Sequence, residues 1–182
     1  TQIIQGETTT LEYVEPAYVT ETPRLEIYSI SYIYRGVDAL VGYYKQSRPT
    51  GFGNSGACEV NVNCPEGDNW QDEKRGVAMI FIPNPGGFCT GSLVNNTNED
   101  GTPYFLTADH CGGDQNDQDT WQFYFNFESS ACTNPGSEPS YDSFTGADKI
   151  AVGSVDGGTD FLLMELFDSP QASIDVYYNG WD

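Results

Sequence analysis

Trp121, Phe123, Phe125 and Phe127 recur at every second position, separated by Gln122, Tyr124 and Asn126. A period of two sets these rings on one face of an extended strand; it cannot line a helix, whose faces repeat every 3.6 residues. Leu25 and Ile27 begin another alternation, which Ile30, Tyr32 and Tyr34 continue in the opposite phase. That reversal predicts a bulge or bend at Tyr28–Ser29. Further strands are predicted over 8–14, 77–82, 89–94, 103–107, 148–153, 160–166 and 174–178. Turn clusters such as 83–87 and 156–158 punctuate them, and no window sustains an amphipathic helix. Many short strands with frequent turns predict an all-β barrel or sandwich.

A chain of 182 residues is long enough to bury a core of its own. Its longest apolar runs, 77–82 and 161–164, fall far short of the ~20 residues of a helical membrane span. The chain starts at Thr1 with no charged-then-apolar leader, so any signal peptide is expected to be already removed or not included. Acids outnumber Lys and Arg by 27 to 7, for a formal charge of −20, and Lys149 is the sole base after residue 75. Such a surface repels phosphate, so neither nucleic acid nor an anionic membrane is expected as a partner. The acidic run 114–119 lacks the glycine and the terminal acid of an EF-hand loop and reads as solvated.

Cys58, Cys64, Cys89, Cys111 and Cys132 are dispersed, with no CxxC pair, and the chain has one His. Structural zinc wants these ligands clustered, so no metal is expected. Scattered cysteines in an acidic, Lys-poor chain suggest an exported, disulfide-bonded protein. The odd count leaves one thiol either free or paired outside the chain. The polar, Gly- and Pro-rich stretch 47–56 reads as a linker.

One segment concentrates chemistry: Tyr104-Phe105-Leu106-Thr107-Ala108-Asp109-His110-Cys111-Gly112. An imidazole directly after an apolar strand is a candidate general base near neutral pH. The motifs CTGSLV (89–94) and FLTADHCG (105–112) resemble the CxGSL and TAxHC signatures of chymotrypsin-fold serine proteases. GNSGACEVNVNCPEGDNW, CTGSLVNNT, YFLTADHCG, GGTDFLLMEL and YNGWD, in that order over about 53–182, resemble the bacterial lysyl-endopeptidase-like branch. The resemblance implies an all-β fold: the first six-stranded antiparallel barrel of a trypsin-like double-barrel protease, preceded by a strand-rich propeptide tail. It implies His110 as general base and Asp160 as the carboxylate that fixes its tautomer. No cofactor is needed. The implied bridges are Cys89–Cys111 and Cys64–Cys132, worth about 3 and 4 kcal/mol in the chain-entropy account. Cys58 is left over, to be unpaired or paired with a cysteine of the second barrel.

In this family the nucleophilic Ser follows the Asp, in a GxSGS loop of the second barrel. After Asp160 only Ser169 and Ser173 remain, and neither has a glycine frame. Ser55, in Gly53-Asn54-Ser55-Gly56, imitates such a loop but stands before the His. The expectation is therefore a fragment of a secreted serine endopeptidase, inactive alone, whose partners are protein or peptide substrates and the missing C-terminal barrel. Residues 53–182 would form the first barrel, with maturation near Gly53. Residues 1–52 would be a propeptide remnant or, alternatively, a strand extension of the domain. The rival from another class is a non-catalytic, protease-like binding module; a carbohydrate-binding sandwich would leave TADHC unexplained. Peptide mapping of the non-reduced chain is expected to recover Cys89 joined to Cys111. A free thiol at either, or a Cys58–Cys64 bridge, would count against the protease reading.

Overall fold

A computed structural model of the chain describes residues 8–14, 24–27, 58–84, 86–133 and 139–181. Seven strands build one antiparallel sheet: β1 (Val77–Ile82), β2 (Gly87–Leu93), β3 (Tyr104–Thr107), β4 (Gln122–Phe125), β5 (Asp142–Thr145), β6 (Ala147–Gly153) and β7 (Phe161–Leu166). Their order is β5-β4-β1-β2-β3-β7-β6. The two edge strands, β5 and β6, are separated in sequence by Gly146 alone. One residue can join opposite edges only if the sheet curls until those edges meet. Gly146 makes the junction itself, donating to Trp121 O at 2.9 Å and accepting from Phe167 N at 3.1 Å. The expected six strands thus become seven ladder segments, because one strand is divided at Gly146.

Alternation fills the interior. Ala78, Ile80 and Ile82 of β1, Phe123 and Phe125 of β4, and Leu162, Met164 and Leu166 of β7 all point into one core. Phe105 of β3 lies edge-on to Phe123 and Phe125, with centroids 5.1 and 6.2 Å away. Both faces of β4 are covered, since Gln122 and Tyr124 are buried as well. The predicted aromatic face also ends earlier than its period suggests. Asn126 takes φ 59°, and Phe127 turns to the outer side, where it packs with Tyr124 and Tyr141.

Several expectations need correction. Residues 8–14 form no strand: Leu11, Tyr13 and Val14 are exposed, and with neither a ladder partner among the described residues nor a buried face an extended segment gains little. Residues 174–178 keep their alternation, with Ile174, Val176 and Tyr178 packed on the core. They join no ladder, however; the segment ends in one parallel bridge between Val94 and Asn179. Conversely β5 carries a single apolar residue, Phe144, too weak a pattern to announce a strand. The alternation at 30–34, the bend at Tyr28–Ser29, the 47–56 linker, Gly53 and Ser55 lie outside the described residues.

Outside the sheet are short 3-10 turns, and among the described residues no helix is long and apolar enough to cross a membrane. Cys64 and Cys132 are bonded, lacing residues 61–64 to the loop after β4. Asn61 and Asn63 add side-chain bonds to Ala131 O and Ser129 O. The acidic loop after His110 is not simply solvated. Lys149 of β6 reaches into it, donating to Gly113 O, Gln115 O and Asn116 Oδ1 at 2.8–3.0 Å.

Gly91, within the CTGSLV stretch, lies where an added Cβ would collide with the Phe105 ring and the Leu106 carbonyl. Gly91→Ala is expected to lower stability by about 1–3 kcal/mol, the usual cost of overpacking. Gly87→Ala on the same strand meets nothing and should stay within about 0.5 kcal/mol. Urea unfolding followed by tryptophan fluorescence distinguishes them.

Candidate active site

The position of His110 follows from what surrounds it in sequence. On β3, Phe105 and Thr107 face inward while Leu106 faces out. The Thr107 hydroxyl donates to Thr90 O at 2.9 Å, fastening the end of β3 to β2. The chain then tightens into the 3-10 turn Asp109–Cys111, entered through extended Ala108. Cys111 points inward and is bonded to Cys89 of β2. With its neighbour pinned inside, His110 is thrown outward, and its side chain is 62% exposed.

Asp160 arrives from the other side. Strands β3 and β7 are antiparallel with Thr107 opposite Leu162, so the residues before β7 meet the residues after β3. Asp160 Oδ2 lies 2.8 Å from His110 Nδ1, and Asp160 Oδ1 accepts the His110 backbone N–H at 3.0 Å. Two-point contact fixes both the carboxylate and the turn that carries the ring. These bonds hold the Asp160 carboxyl below its ordinary 3.8, the backbone N–H of His110 contributing most and the imidazole next. Asp160 takes φ 43°, a region unfavourable for a non-glycine residue, so the contact holds a locally strained backbone.

With a carboxylate accepting at Nδ1, the neutral ring carries its proton there and presents Nε2 as a free acceptor. Among the described residues none bonds to Nε2. The arrangement can accept a proton from an approaching hydroxyl, and Asp160 would stabilise the resulting imidazolium. Cys89, His110 and Cys111 place ligand atoms within 4.8 Å of one another. The two sulfurs are joined to each other, so the trio has no thiolate to offer a metal.

The structure brings together His110, Asp160, Cys89 and Cys111, and separately Cys64 and Cys132; Cys58 is exposed and free. Ser169 and Ser173 follow the far end of β7, and that six-residue strand, roughly 20 Å long, lies between them and Asp160. A groove of about 740 Å³ is lined by Trp70, Lys74, Met79 and Tyr124 on the outer face of the sheet; it includes neither His110 nor Asp160. Sequence reasoning passed over Thr107 and Asp109, although both stand inside the TADHC stretch.

Because its folded carboxyl is shifted down, Asp160 stabilises the fold at pH values above its unfolded pKa of about 3.9, and that contribution disappears as pH falls through the lowered value. Its carboxyl carbon, followed by ¹³C NMR, is expected to titrate below 3.8. His110→Ala should move the midpoint part of the way back, since the backbone N–H remains. An unchanged midpoint would show that the imidazole does not contribute.

The motifs around this pair have counterparts in known proteins. The family model described as "Lysyl endopeptidase, C-terminal domain" matches residues 52–182. The chain is 33% identical, over 189 aligned positions, to a lysyl endopeptidase of Pseudomonas aeruginosa, covering 98% of this chain and 39% of that protein. It thus spans about two fifths of the length of this relative. With most of its length matched by the family and the whole sheet inside the match, the chain belongs to the lysyl endopeptidase family.

Proposed function

We propose that this chain carries the general base and its orienting carboxylate for a secreted serine endopeptidase. The nucleophile is supplied by sequence beyond the chain. The observation that carries this reading is the double contact between Asp160 and His110, with Nε2 left open. In the complete enzyme, Nε2 takes the proton of a serine hydroxyl as it attacks the peptide carbonyl, then donates it to the leaving amine. Asp160 remains ionised throughout and holds the ring in the productive tautomer. The curled sheet corresponds to the first barrel of a trypsin-like pair, and the second barrel is the partner that completes the site. The family match starting at residue 52 supports a boundary near Gly53, with 1–52 as propeptide and the chain as part of a zymogen.

Substrates are proteins or peptides, and cleavage after lysine, named by the relative, is the first P1 specificity to test. Two disulfides suit an extracellular setting. The net charge of −20 disfavours nucleic acid and anionic membranes as partners.

The test compares this chain with the full-length protein on Lys-, Arg- and Phe-ester substrates. The full-length protein is expected to turn over an ester and the chain alone to be inactive. Within the full-length protein, Asp160→Asn should lower kcat by roughly 10⁴, the cost of losing the correct tautomer, and His110→Ala at least as much. Turnover by the chain alone that disappears on Ser55→Ala would overturn the missing-nucleophile reading. A full-length protein without turnover would favour the binding module.

A further inference from the structure

Two carboxylates, not one, connect the His110 turn to the loop at 154–160. Asp160 accepts the backbone N–H of His110 in the turn. In the reverse direction, Asp109 Oδ2 accepts the backbone N–H of Val155 at 2.9 Å. Val155 opens a short 3-10 turn whose N-cap is Ser154, so the bond grips the loop at its start while Asp160 grips it at its end. The seat of the Asp109 carboxylate is shaped by Gly113: a Cβ there would collide with Oδ1, and the Gly113 N–H returns to Asp109 O at 2.7 Å. Each segment therefore lends a carboxylate to the backbone of the other. The grip matters because Asp160 sits at positive φ, where an unanchored loop would relax and withdraw the carboxylate.

We propose that Asp109 is a positioning residue, whose carboxylate holds the 154–160 loop against the His110 turn and thereby keeps Asp160 on His110 Nδ1. It acts through the loop, with no bond of its own to the imidazole. The proposal deepens the reading of His110 and Asp160 as base and orienting partner, and rests on it only for the consequence in catalysis.

The chain has a single His, so the Nδ1 proton of His110 is unambiguous in ¹⁵N-edited NMR, and its exchange with water reports the contact directly. In the 182-residue chain, Asp109→Ala is expected to accelerate that exchange roughly tenfold or more, the scale of a lost hydrogen bond to a charged group. Asp109→Asn keeps an acceptor for Val155 and should restore most of the protection. Val155→Pro removes the donor from the opposite side. Proline is tolerated at the first position of a helical turn, and Ser154 at ψ 139° already has the extended backbone that precedes proline. It should reproduce the Asp109→Ala effect with amide dispersion of the sheet intact, and it decides the matter alone if Asp109→Ala does not fold. Wild-type exchange in a folded Asp109→Ala or Val155→Pro variant would overturn the proposal, as would failure of Asp109→Asn to rescue. Asp160→Asn reports on the pair itself: no loss of protection there, or no protected proton in the wild type, would sink the His–Asp contact and the proposal with it. If instead the exchange behaves as expected while full-length protein shows no turnover, the peptidase reading alone fails.

Discussion

A β-sheet leaves a row of unpaired N–H and C=O groups along each edge, and this fold disposes of them with one stretch of chain. Residues 142–153 serve both edges, pairing with β4 as β5 and with β7 as β6. Such double duty requires a curled sheet, and the curl in turn decides the rest. It wraps the alternating residues of β1, β4 and β7 around Phe105, leaves no room at Gly91 for a side chain, and brings the end of β3 beside the start of β7. The juxtaposition of His110 and Asp160, fifty residues apart in sequence, follows from that geometry.

The site itself is held more by backbone than by side-chain packing. Its imidazole is largely in solvent and its carboxylate partly so, where a lone ion pair between side chains would be worth little. Here one oxygen of Asp160 is spent on the peptide N–H of the same residue whose ring the other oxygen orients. A rotation of the carboxylate away from the imidazole would also break its bond to the turn. The Thr107 hydroxyl before that turn and the Cys89–Cys111 bond at its end fix it to β2, so the ring is anchored while its outer nitrogen stays open.

Much of this was legible in the sequence because alternation is a local signal. β4 fell on the alternation of 121–127, and β1 and β7 on the apolar runs 77–82 and 161–164, with boundaries moved by a residue or two. The failures share a cause: strands are made by partners, which local pattern does not reveal. Residues 174–178 alternate yet have no ladder partner among the described residues, whereas β5, with only Phe144 to mark it, is a strand because β4 lies alongside. The outward turn of Phe127 depends on one backbone angle at Asn126, which no hydropathy pattern encodes. The nearness of His110 and Asp160 was not readable from spacing; family resemblance suggested it, and the antiparallel register of β3 and β7 supplies the physical reason. Asp109 escaped notice because a carboxylate next to a histidine in sequence looks like an exposed charge until the 154–160 loop is placed over it.

The loop that follows His110 has a cation of its own. Three of its oxygens converge on the Lys149 ammonium, as they would on a free ion, but this ion is covalently tied to β6. Its effective concentration at the seat is set by the stem that carries it and does not fall when the protein is diluted. Occupancy is therefore governed by the folding of β6 and not by the ionic medium. A loop completed by a strand distant in sequence cannot order before that strand docks, so residues 112–116 and β6 should open and close as one cooperative unit.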